Sequence, residues 1–266
     1  MSDKTPEPSK PKPAGGDYWS SARNPWVCLL FLLPLLAVYE AGVLKFGTSA
    51  EELRNGADYW MRSGLRMAGV GYRWALPAIV IGLLLVWQIA GRYRWRASIG
   101  TLVGMSAESV LFGFCLIVLG QLQELAFRQQ LPHAWLSGGV VLALPASLTG
   151  PLSQSVSYVG AGIYEEVLFR LCLLPILYGF LRLIQLPNKL ALVTSVIATS
   201  VAFAAAHYVG PAADPWSVYS FTFRLIAGGF FAVLFVTRGF GITVGAHAAY
   251  DLLVGVVLPQ VALAQS

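Results

Sequence analysis

The chain has 266 residues, of which 56% are hydrophobic and 12% charged, with a net charge of +5 and a mean hydropathy of +0.65. A soluble domain of this size covers its surface with roughly 25% charged residues, so the composition excludes an ordinary soluble enzyme and assigns much of the surface to lipid. The small basic excess lies mostly in loops, without a glycine-rich phosphate loop or a basic groove interleaved with aromatics, which excludes nucleic acid as a partner.

Residues 1–24 are rich in Pro, Lys and Ser and read as a disordered cytoplasmic tail. The first spanning helix is expected over Trp26–Leu44, kinked near Pro34. Residues 45–73 are a mixed-charge loop with room for a surface helix. A second span covers Ala75–Ala90 and runs into Arg92-Tyr93-Arg94-Trp95-Arg96. Arginines interleaved with aromatics mark an interfacial anchor, and the positive-inside rule puts it, and with it the N-terminus, in the cytoplasm. The plasma (inner) membrane is the expected location.

A third span is expected over Leu102–Leu119, followed by an amphipathic stretch in which Glu124 and Arg128, at i and i+4, form a surface pair. His133, next to Pro132, reads as interfacial. The apolar run Gly138–Leu148 is short for a span, since crossing the hydrocarbon takes about 20 residues. It reads as a re-entrant or tilted segment. Helices follow over Val156–Ile184, Leu190–Tyr208, Val218–Thr237 and Ile242–Leu258. The fold class is therefore all-α: a polytopic transmembrane bundle of seven or eight spans. N-terminal helices occupy 25–150 and a C-terminal core 151–260, with no internal repeat. The cysteines Cys28, Cys115 and Cys172 lie far apart in apolar runs and read as small buried hydrophobes.

Three polar clusters interrupt the C-terminal helices. Ionised groups at mid-bilayer are costly and mark functional sites by default. In GAGIYEEVLFRLCLLPILYGF, Glu166 and Arg170 are four apart and share a helix face, whereas Glu165 lies about 100° round the helix with no local partner. One carboxylate can thus be fixed by arginine while the other is free for proton transfer. The second cluster is Phe203-xxx-His207 at the end of an alanine-rich run, where small residues let helices approach closely. In the third, His247 and Asp251 are four apart, so a carboxylate can fix the tautomer of an imidazole. Taken singly, each is also satisfied by a bland reading: a structural ion pair, an interfacial histidine, a buried His–Asp pair. A shared layout on three helices points instead to one convergent site.

These motifs, EExxxR, FxxxH and HxxxD in that order over about residues 151–258, resemble the CAAX protease and bacteriocin-processing (Abi) family of intramembrane peptidases, which includes the type II CAAX prenyl endopeptidases. Asp251 stands where better-known members carry asparagine. The resemblance implies an endopeptidase acting on a membrane-embedded or lipid-anchored protein or peptide, with Glu165 as general base, His207 holding the water, Glu166 paired with Arg170, and His247, oriented by Asp251, facing the oxyanion. No cofactor is favoured. A divalent metal such as zinc, held by Glu165, His207 and His247, is the competing chemistry, although HExxH is absent. Two other functions stay open: a non-catalytic protein of bacteriocin immunity or scaffolding, and a proton-coupled transporter using the same carboxylates and histidines. Counted along simple full spans, Glu165, His207 and His247 lie at different depths, so broken or tilted helices must bring them together.

Overall fold

The computed structural model describes residues 18–46, 53–130, 150–210 and 213–265. Among them all regular structure is helical, and five helices are long and apolar enough to cross a membrane. The chain is an all-α polytopic bundle.

A short helix α1 (Tyr18–Ala22) precedes α2 (Pro25–Phe46). The segment read as a tail therefore ends in structure: the Trp19 ring lies 3.7 Å from the Arg238 guanidinium, and Tyr18 packs on Gly104. Pro34 is accommodated within an unbroken α2. Helix α3 (Gly56–Met67) is amphipathic and begins at Asn55, whose side chain accepts from the Asp58 amide, satisfying one of the orphan donors of a helix start. Helix α4 (Ala75–Ala90) matches the expected span, and α5 (Ile99–Gln130) joins the third span and the amphipathic stretch into one helix. Glu124 and Arg128 pair on its exposed face at 2.5 Å. His133 and Gly138–Leu148 lie outside the described residues.

Helix α6 (Pro151–Glu166) starts with proline in its first turn, where no amide hydrogen is needed. It continues through a π-helical segment, Val167–Leu173, into α7 (Leu174–Leu183). Helices α8 (Asn188–Ala206), α9 (Val218–Arg238) and α10 (Phe240–Leu252) follow, and α10 passes through a second π segment, Leu253–Val257, into α11 (Leu258–Gln265). The five apolar helices, the shorter α4 and the charged α6–α7 rod give seven elements with alternating directions. Gly42 meets Val156 and Tyr39 meets Gly160, so α6 runs against α2; the start of α2 meets the end of α4 through Trp26 and Trp95. Phe169 meets Phe203 and Phe223 meets Tyr250, which sets α8 against the α6–α7 rod and α10 against α9.

One hydrophobic core joins α2, α4, α6 and α10, with Leu32, Val80, Leu84, Ile163 and Ile242 fully buried. The N-terminal helices and the C-terminal core thus share packing. A second apolar cluster, including Leu116, Phe223, Phe231 and Tyr250, holds α5, α9 and α10 together.

A polar network fastens α3 to the bundle. Arg62 contacts Glu40 at 2.7 Å and Asp58 at 2.5 Å, while Arg54 contacts Asp58 at 2.5 Å. The Tyr39 hydroxyl donates to Asp58 and the Tyr164 hydroxyl to Glu40, at 2.7 and 2.8 Å. Burial of unpaired charge is prohibitive, and here two carboxylates face two guanidiniums and two phenols. Tyr164 immediately precedes Glu165, so this network is the N-terminal support of the first polar cluster.

Candidate active site

All six residues singled out in the sequence converge. Glu165 and Glu166 end α6, Arg170 lies in the π segment, His207 caps α8, and His247 and Asp251 sit on α10. Small residues make this possible. A Cβ on Gly162 would lie 2.7 Å from the Ala248 backbone nitrogen, and one on Gly228 would lie 3.0 Å from the Ser200 Cα. Helices α6 and α10, and α8 and α9, therefore touch backbone to backbone around the site. On α8, the Ser195, Thr199 and Ser200 hydroxyls donate to carbonyls of their own preceding turn, so they are packing groups.

Glu166 and Arg170 are fully buried. Arg170 Nη1 contacts Glu166 Oε1 at 3.1 Å, and Nη2 donates to the Gly228 carbonyl at 3.0 Å. Its guanidinium lies 4.4 Å from the Phe203 ring centroid and 5.6 Å from that of Phe231, a cation held between aromatic faces. The π segment carries this arginine. A wider turn inside an α-helix re-aims side chains and recurs at functional sites.

His247 differs from expectation in its orienting partner. Its Nδ1 lies 2.7 Å from Glu166 Oε1, whereas Asp251 Oδ2 is 3.6 Å from Nε2. The residue one turn along its own helix is thus not the one that fixes its tautomer; a carboxylate from another helix is. Nδ1 donates to Glu166, and the Phe231 ring stacks on the imidazole at 4.5 Å and 13°, leaving Nε2 toward Glu165 and Asp251. His207 donates from Nδ1 to the Phe203 carbonyl at 2.9 Å. A carbonyl can only accept, so Nε2 of neutral His207 carries the lone pair.

Glu165 stands between the two imidazoles. Its Oε2 is 3.9 Å from His207 Nε2 and 3.8 Å from His247 Nε2, and has no hydrogen-bond partner among the described residues. These separations are too long for direct hydrogen bonds. The depth mismatch resolves through α8. Glu165 lies fourteen residues, about 21 Å at 1.5 Å per residue, beyond the first residue of α6, yet it meets the last turn of α8. Helix α8 therefore ends at the level of Glu165, well short of the level where α6 begins. Among the described residues no group of three His, Cys, Asp or Glu side chains is arranged to hold a metal ion, and the trio Glu165, His207 and His247 is not one.

Residues 147–253, less than half of the chain, match the family model described as type II CAAX prenyl endopeptidase Rce1-like. The likeness is to the CAAX protease family. The Rce1-like region spans α6 to α10 and contains all six site residues. Comparison with curated proteins and with solved structures gave no match. Helices α1 to α5 lie outside the matched region, although Glu40 and Tyr39 of α2 support its first motif through Tyr164.

Arg224 and Asp214 were missed by the sequence reading. Arg224 is buried on α9, paired with Asp214 of the α8–α9 loop. The signal was present: Arg224 is the one charged residue in the apolar run Val218–Thr237, the same anomaly that exposed the other clusters.

Proposed function

We propose that the protein is an intramembrane endopeptidase in which Glu165 activates a water molecule for attack on a peptide carbonyl. The observation that carries this reading is the placement of Glu165 Oε2 within 4 Å of Nε2 of two histidines from different helices. A water there can donate one proton to the Glu165 carboxylate and the other to the lone pair of His207 Nε2, which turns its oxygen lone pair outward. As oxygen attacks the carbonyl carbon, Glu165 takes the proton and the carbonyl electrons move to an oxyanion. His247 in its doubly protonated form donates from Nε2 toward that oxygen, the kind of stabilisation that contributes most in a water-poor site. Collapse of the intermediate breaks the C–N bond, and Glu165 returns the proton to the leaving amine.

Glu166 and Arg170 act on this set indirectly, by fixing the His247 ring and the end of α6. Asp251, 3.6 Å from His247 Nε2, balances the charge of protonated His247. The substrate is a membrane-embedded or lipid-anchored protein or peptide, the protein resides in the plasma membrane, and its N-terminus is cytoplasmic.

Purified protein is tested against membrane-anchored peptides, with Glu165→Gln and His207→Ala as variants. Removing the base is expected to lower kcat by at least about 100-fold, and removing one water-holding group by about 10-fold to 100-fold. Cleavage at undiminished rate in both variants overturns the proposal. A chelator is expected to leave the rate unchanged. Proton flux into liposomes lost in the same variants, with no peptide cleaved, would establish transport in its place.

A further inference from the structure

Helix α9 presents one stripe of residues to the site, and that stripe extends past the groups already described. The Gly228 carbonyl accepts from Arg170, and the Phe231 ring stacks on His247. Arg224 lies one turn before Gly228 and two turns before Phe231, on the same face by helical spacing. It is 8% exposed, and its guanidinium is within electrostatic reach of His207 and Asp251. One side of the guanidinium is committed, because Nη2 binds the Asp214 carboxylate and the cation packs 5.3 Å from the Tyr208 ring centroid. The loop bearing Asp214 is itself tied to the site, since the Asp214 amide donates to the His207 carbonyl at 2.9 Å. The other side is open: Nη1 is buried and has no hydrogen-bond partner among the described residues.

A buried charged donor left unpaired is costly, and a residue held this firmly on its other side does not turn away to find solvent. Charge decides what the open donor accepts. Asp214 already neutralises Arg224, and Glu165, Glu166 and Asp251 make the neighbourhood acidic. A second carboxylate would meet their repulsion, whereas a neutral acceptor would not. Resting on the peptidase reading, we propose that Arg224 Nη1 donates to a main-chain carbonyl of the peptide substrate and sets the register of the scissile bond against Glu165.

The test is a thermodynamic cycle between the arginine and single carbonyls of the substrate. Arg224→Lys keeps a cation opposite Asp214 but lacks the forked second nitrogen that reaches a second partner; Arg224→Met removes every donor. Peptides are made as the free acid, as the C-terminal amide, and with single amides near the scissile bond replaced by methyleneamine. With wild type, loss of one particular carbonyl is expected to raise KM about tenfold, the weight of one charge-assisted hydrogen bond. In Arg224→Lys the same replacement costs nothing further, and the free acid and amide behave alike. Coupling to no carbonyl, or a defect confined to the free acid, overturns the proposal; the second result would make Arg224 a carboxylate site. Binding of the same peptides to Glu165→Gln, followed by fluorescence anisotropy, reads the coupling without turnover. A coupling seen there, when wild type itself cleaves none of the peptides, would retain the Arg224 site and remove the peptidase reading alone.

Discussion

Arg170 sits between a carboxylate, a carbonyl and the faces of two aromatic rings, with almost none of its surface exposed. Replacing it with methionine leaves Glu166 buried opposite an apolar chain. Removing one partner of a buried ion pair costs about 3–5 kcal/mol, so Arg170→Met is expected to lower the unfolding midpoint in detergent markedly, and an unchanged midpoint would contradict the pairing described. The six residues of the site could be read from the chain because each is an ionisable group, or its partner at i+4, in an otherwise apolar run. Arg224 carries the same mark. It was overlooked because its partner, Asp214, is ten residues away across a loop, a pairing no helical period announces. The choice of Glu166 over Asp251 as the partner of His247 Nδ1 was equally hidden, since it depends on how α6 and α10 are packed.

At the scale of helices, close approach sets the geometry. Gly162 lies three residues before Glu165 and faces the backbone of Ala248, next to His247. A side chain there meets main chain, which cannot give way as a flexible side chain would. Gly162→Val is expected to cost about 1–3 kcal/mol of stability and most of the activity, while Gly179→Ala, where nothing lies within 4 Å, is expected to be neutral or to stabilise by about 0.5–1 kcal/mol. Equal behaviour of the two variants in unfolding and cleavage assays would show that the contact is not limiting. Most helix positions followed from apolar runs and their polar boundaries. The π segments did not, because a turn of different width has no composition of its own: Leu253–Val257 is apolar throughout and Val167–Leu173 is apolar except for Arg170. The reading of residues 45–73 as loop with a surface helix fits α3, but its anchoring by Glu40 and Tyr164 joins residues 14 to 124 apart in sequence and has no local signature.

Over the whole molecule, the alternating helices sort the loops onto two ends. Arg92–Arg96, Arg182 and Arg238 fall at one end, and α3, His207 and Asp214 at the other. Single cysteines introduced at Arg94 and at Arg73, in a background lacking Cys28, Cys115 and Cys172, are expected to react with an impermeant reagent from opposite sides of a sealed vesicle. Reaction of both from one side would break the alternation.

The level at which α8 ends also bears on how the site can be filled. Because the last turn of that helix ends at Glu165 rather than at the level where α6 begins, the first turns of α6 have no turn of α8 beside them. On the peptidase reading, a substrate segment laid against that stretch of α6 reaches Glu165 without displacing α8.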